Sequence, residues 1–182
     1  RYLECFYAVP MLGAVLHTVN VRLSPEQIIY TIDHAEDDFL LVNGEFLPIL
    51  EQINGRIDTV KGFVLLSDED GRPAPAIAFS GEYEELLSDS AAHFTFADFD
   101  EDTRATTFYT TGTTGMPKAA KITHMRAQLY MRSFAGATKA NADDILYCVL
   151  PLYHATGGLC GVGSALLNGG VTVLRRRFSA GH

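Results

Sequence analysis

Tyr109-Thr110-Thr111-Gly112-Thr113-Thr114-Gly115-Met116-Pro117-Lys118 packs four threonines, two glycines and a closing lysine into ten residues. Hydroxyl and backbone N–H groups donate to anionic oxygens, glycine lets the backbone approach a ligand, and an ammonium neutralises charge. Those features suit a polyphosphate. The loop is not a Walker A loop, because that pattern counted from Gly112 needs glycine at position 117, which is proline. On these residues alone a second reading stays open, a hairpin turn between two strands, since glycine and threonine are common in turns.

The flanks set this loop in an alternating pattern. Residues 105–109 are β-prone and lead into it. A helix is predicted over 125–139, a strand over 145–150, then a loop with proline and glycine, a glycine-rich helix and a strand over 171–174. Upstream, residues 3–19 have the apolar density of a core helix, and 19–23 read as extended. Ser24 as N-cap, Pro25 at the first helical position and Gln27 three after the serine form a capping-box signature, which predicts a helix over 25–35. The apolar run 39–42 predicts a strand covered on both faces, followed by a helix over 46–53 and a strand over 60–66. This alternation predicts an α/β chain with a parallel sheet. Residues 67–104 read as exposed connection: an Asp-Gly pair and two prolines, a short acidic helix over 83–87, and an acidic cluster at 98–102 that reads as a solvated face in preference to a metal site. Gly161-Val162-Gly163 opens like a dinucleotide fingerprint, but Leu166 stands where its third glycine belongs.

Composition narrows the class. At 47% hydrophobic and 20% charged, 182 residues can bury one sizeable core or two small ones, which excludes a disordered chain, a collagen repeat or a coiled coil. A net charge of -8 argues against a nucleic-acid partner and a polybasic membrane surface. Cys5, Cys148 and Cys160 form no CxxC pair and no metal-ligand spacing, so no metal site is expected and a reducing, cytoplasmic setting fits best. Nothing reads as a signal peptide. The most apolar stretches, 6–19 and 155–167, fall short of the roughly 20 residues that span a bilayer. The chain opens on Arg1 directly into apolar sequence, and is expected to be a piece of a longer protein.

Two ordered motifs then carry a resemblance. The string from Tyr109 to Lys118, YTTGTTGMPK, resembles the phosphate-loop signature of the acyl-adenylate-forming (AMP-binding) superfamily, usually YTSGTTG, one residue, then PKG. Leu150-Pro151-Leu152-Tyr153-His154 looks like that family's second core motif at a fitting distance downstream. Residues 8–27 are similar to medium-chain fatty-acid CoA ligases, and residues 150–180 to very-long-chain and fatty-acid-transport acyl-CoA synthetases. Thr111 stands where serine is usual and keeps the hydroxyl. Thr107, Ala119 and Val21 also depart from the pattern, and none of these changes removes a phosphate contact.

The resemblance implies an α/β fold, part of a layered N-terminal domain with mostly parallel sheets flanked by helices. Residues 1–66 would be a first α/β segment, 67–104 the connection and 105–182 the phosphate-loop and acyl-pocket segment, with the C-terminal domain absent and the piece alone inactive. It implies a ligase that joins a fatty-acid carboxylate to the α-phosphate of Mg-ATP, releasing pyrophosphate, and then passes the acyl group to CoA as AMP leaves. Fatty acid, ATP, Mg2+ and CoA would be its small-molecule partners, with peripheral membrane association of the parent left open. Carried over by position, Thr110, Thr111, Gly112, Thr113, Thr114, Gly115 and Lys118 would hold the β- and γ-phosphates. Lys118 and His154 would be catalytic, and Tyr153, His154, Ala155, Thr156, Gly157, Gly158 and Gly161 would line the acyl pocket. For His154 the alternative is a cap on the following helix; for the glycine run it is close packing against a sheet. An aryl-acid or amino-acid activating enzyme and a non-catalytic relic stay in view. Small apolar residues after His154, and no acidic residue over 150–174, favour an acyl chain over an amino acid, whose amino group would want a carboxylate.

Overall fold

The computed structural model describes residues 1–67, 76–110 and 115–176. Among the described residues three small sheets carry the fold: β1–β5–β6, β2–β3–β4 and β7–β8. Their strands are β1 (Leu16–His17), β2 (Phe39–Asn43), β3 (Gly62–Leu66), β4 (Gly81–Glu82), β5 (Arg104–Thr110), β6 (Lys118–Thr123), β7 (Ile145–Cys148) and β8 (Val171–Leu174). The pairs β1·β5, β2·β3, β3·β4 and β7·β8 are parallel, as the alternating pattern requires. Helices α1 (Tyr2–Met11), α2 (Pro25–Ala35), α3 (Leu47–Ile53), α4 (Tyr83–Ser88), α5 (His124–Thr138) and α6 (Ser164–Leu167) connect them, with a π-helix over Thr156–Gly163.

The chain divides into two units. The first takes Arg1–Ala8, Val19–Ala97 and Tyr109–Ala119; the second takes Val9–Thr18, Asp98–Phe108 and Ala120 onward. In the first, α2 and α3 cover β2–β3: Ile28, Ile32, Leu47, Leu50, Ile53, Leu65 and Ile77 form one buried cluster. The α2 helix begins as its sequence predicts, with Ser24 and Gln27 in a reciprocal capping box and Pro25 in the first turn. It ends in a left-handed cap at Glu36, φ 58°. The expectation that β2 is covered on both faces does not hold among the described residues, since Phe39 and Leu41 are exposed.

Three further boundaries differ from the sequence reading. The helix expected over 3–19 stops at Met11, because Pro10 lies in its last turn and Gly13 turns the chain with φ +78°. Leu16 and His17 then pair with Thr106 and Thr107 as β1. Within the stretch read as connection, β4 joins the sheet beside β3 and Glu82 is only 5% exposed. Its carboxylate caps α4, accepting from the N–H groups of Glu84 at 2.8 Å and Glu85 at 3.1 Å and from the Ser67 hydroxyl at 2.8 Å.

In the second unit α5 buries a stripe of Ala127, Met131 and Ala135, spaced four apart. The glycine-rich run packs against that stripe: a Cβ on Gly163 would lie 2.6 Å from Met131 Cγ. The helix expected there is a π-helix, whose i→i+5 bonding makes it wider than an α-helix, running on into α6.

Candidate functional site

The loop of interest is held between two strands. Thr110 closes β5 and Lys118 opens β6, so both belong to strands where the sequence reading placed them in the loop. The Thr110 hydroxyl donates to the Lys118 carbonyl at 3.4 Å, closing the base of the loop. Lys118 and Gly115 are exposed. Gly115 has φ +108°, a backbone conformation open to glycine and strained for other residues, and among the described residues nothing lies within 4 Å of the place its Cβ would take. Pro117 is fully buried and fastens the downstream end. Thr111, Gly112, Thr113 and Thr114 lie outside the described residues. The structure therefore brings together Thr110 and Lys118, with Gly115 three residues before the lysine, and what they offer is a hydroxyl, a glycine backbone and a cation.

The second group of predicted residues sits where the chain turns from β7 into the π-helix. The His154 N–H donates to the Pro151 carbonyl at 3.1 Å, and the Gly158 N–H donates to the His154 carbonyl at 3.0 Å. His154 Nδ1 accepts from the Thr156 N–H at 3.3 Å, which is a cap on the first turn and leaves the proton of the neutral ring on Nε2. The ring is exposed, as is Thr156, whereas Tyr153 and Ala155 are half-buried. Gly157, Gly158 and Gly161 are buried. A Cβ on Gly157 would run into the Pro151 carbonyl oxygen, and one on Gly161 would sit 3.3 Å from Cys148 Sγ. Of the two readings left open for the glycine run, these contacts are those of close packing: the space left by each missing side chain is filled by the protein's own atoms.

Two residues that hold these groups escaped the sequence reading. Thr18, buried just after β1, donates its hydroxyl to the Tyr153 carbonyl at 2.9 Å and so ties down the turn that carries His154. His34, in the last turn of α2, places Nδ1 2.7 Å from the Tyr109 hydroxyl. Neither has a local sequence signal, because their partners lie 135 and 75 residues away.

Comparison with known proteins agrees with these motifs. Residues 1–181 match the AMP-binding enzyme family. The chain is 38% identical over 158 residues to the 3-methylmercaptopropionyl-CoA ligase of Ruegeria pomeroyi, covering 85% of this chain and 29% of that protein. It is 36% identical over 156 residues to the medium-chain-fatty-acid–CoA ligase of Ectopseudomonas oleovorans, with the same two coverages. The chain thus spans less than a third of the length of these relatives. In fold it superimposes on ATP-bound MatB from Rhodopseudomonas palustris with a TM-score of 0.77, covering 98% of this chain and 33% of that one at 22% identity. The chain belongs to the AMP-binding enzyme family.

Proposed function

We propose that this chain is the phosphate-loop part of an acyl-CoA ligase that activates a fatty-acid carboxylate with ATP and transfers the acyl group to CoA. The observation that carries the reading is the closed base of the loop, where Thr110 and Lys118, the two residues that flank a threonine- and glycine-rich sequence, meet across β5 and β6. In the proposal Thr110, Thr111, Gly112, Thr113, Thr114, Gly115 and Lys118 hold the β- and γ-phosphates. Phosphoryl-centre chemistry gains most from positioning and from donors and cations aimed at developing charge, and Lys118 supplies the cation. The carboxylate oxygen attacks the α-phosphorus, the bond to the bridging oxygen breaks, and pyrophosphate leaves with the electron pair. The CoA sulfur then bonds to the acyl carbon and AMP departs.

His154, exposed with its Nδ1 occupied by Thr156, is proposed at the mouth of the acyl pocket with Tyr153, Ala155 and Thr156. Gly157, Gly158 and Gly161 contribute to the pocket by letting the π-helix lie close to its neighbours. Magnesium accompanies ATP in this proposal. Among the described residues, however, no group of three His, Cys, Asp or Glu side chains could hold a metal ion, so the ion is assigned no ligands here and no step. Among the described residues no helix is long and apolar enough to cross a membrane.

The test is pyrophosphate–ATP exchange by the full-length protein. Stimulation by a fatty acid supports the proposal. Stimulation by an amino acid or an aryl acid moves the chain to another adenylating class, and no stimulation by any acid removes the ligase reading.

A further inference from the structure

The upstream end of the loop is fastened by an element far from it in sequence. Tyr109 is the residue before Thr110, and its hydroxyl lies 2.7 Å from His34 Nδ1 in a hydrogen bond. The two rings also meet edge to face, with centroids 5.8 Å apart and planes at 82°. The His34 ring is backed in turn by Tyr30, one turn earlier on α2, at 5.3 Å. A hydrogen bond and a ring contact together fix both the position and the tilt of the phenol.

The helix behind this pair is anchored along its inner face and at both ends. Ile28, Thr31 and Ile32 on the inner face of α2 are 1–2% exposed, and both helix ends are capped. Next to His34, Asp33 accepts from the N–H groups of Asp58 at 3.0 Å and Thr59 at 3.4 Å, tying the end of α2 to the chain entering β3. The hydrogen bond thus links Tyr109 to the end of α2 at a solvent-exposed position of that helix. The Thr110 hydroxyl, one residue on, is then presented to the Lys118 carbonyl, while buried Pro117 secures the other side.

We propose that His34 is a positioning residue for nucleotide binding: through Tyr109 it sets the place of Thr110 and Lys118. This inference rests on the phosphate-binding reading of those two residues. His34 touches no substrate in it, and its effect falls on ATP and not on the acid.

The test uses His34→Ala, Tyr109→Phe, the double variant and His34→Asn in the full-length protein, with KM for ATP and for fatty acid read in pyrophosphate exchange and a melting curve for each. Loss of one hydrogen bond of ordinary strength predicts a rise of about two- to tenfold in the ATP KM for either single variant. The fatty-acid KM stays as it was. The double variant is no worse than the more affected single variant, as expected of partners in one interaction. His34→Asn, whose amide reaches toward the place of Nδ1, recovers part of the loss. An unchanged ATP KM in the single variants overturns the inference. So does an equal rise in both KM values, or a double variant whose effect is the product of the two singles. If His34→Ala does not fold, Tyr109→Phe and His34→Asn carry the same readout. Lys118→Ala is measured alongside: if it leaves exchange untouched, the phosphate reading itself falls, whereas if it impairs exchange and the His34 set does not, only the positioning role falls.

Discussion

Lys118 is the only cation in the stretch from Tyr109 to Lys118, and it is exposed at the first position of β6. Replacing it with alanine in the full-length protein removes one charge-assisted contact, worth about 1.5–3 kcal/mol, or roughly ten- to a hundredfold in the adenylation rate constant. Because Lys118 is exposed, the melting temperature is expected to stay unchanged; a normal exchange rate in this variant removes the lysine from the site. The glycines make an opposite pair of expectations. Gly163→Leu drives a side chain into Met131 and costs about 1–3 kcal/mol through overpacking, read as a lowered melting temperature with an unchanged preference among short and long acyl chains. Selective loss of long-chain activity at normal stability would return Gly163 to a tunnel wall. Gly157→Ala is expected to cost more than Gly163→Ala, since Gly157 faces a backbone carbonyl that cannot step aside and Gly163 a methionine that can.

Glu82 links a strand to a helix, and its titration gives the fold a pH dependence. Burial works to raise its pKa, but the Ser67 hydroxyl and the N–H groups of Glu85, Ser67 and Glu84 outweigh it and hold the carboxyl below the usual range. A depressed folded value means that its contribution is complete above the unfolded pKa of about 4.3 and is lost as pH falls through the folded value. Acid unfolding followed by circular dichroism is expected to be less steep in that window for Glu82→Gln. A curve parallel to that of the unaltered chain would show that Glu82 contributes nothing there. In the same unit, Ser24→Ala removes the α2 cap at a cost of about 1 kcal/mol, visible in urea denaturation. The contrast between α2 and its neighbours explains what the sequence revealed. Ser24, Pro25 and Gln27 act on one another within three residues, so α2 was readable to its ends. Residues 118–123, KAAKIT, carry little strand propensity, and β6 exists because it lies beside β5, which no local pattern announces. The glycine run predicts a helix and the structure has one, in a π form that the run does not announce, packed beside Pro151, Cys148 and Met131. At the site, the chemistry of Thr110 and Lys118 was written in the loop, but the anchors His34 and Thr18 were not, for they are chosen by the fold.

The β7–β8 sheet shows how the chain as a whole should behave in solution. The register pairs Ile145 with Val171 and Tyr147 with Val173, which puts all four side chains on one face. Among the described residues that face is open, with Ile145 71% and Val171 54% exposed, although parallel sheets are generally covered on both sides. A contiguous apolar face of this kind favours association. The 182-residue chain is expected to show concentration-dependent association by sedimentation and to bind a hydrophobic dye, and Ile145→Lys to reduce both. A strictly monomeric, dye-free chain would mean that the open face is too small to matter beside the net charge of -8.

The pairing of β1 with β5 also has a bearing on synthesis. Leu16 leaves the ribosome long before Thr106, the residue whose hydroxyl donates to its carbonyl 90 positions earlier. Throughout that interval β1 has no strand to pair with, and the first unit likewise lacks Tyr109–Ala119 until those residues emerge. At about 5–20 residues per second, the wait for 90 residues lasts roughly 5–18 seconds, far longer than local helices need to form. α2 can therefore be in place before its partner Tyr109 exists, so that the phenol arrives at a helix already formed.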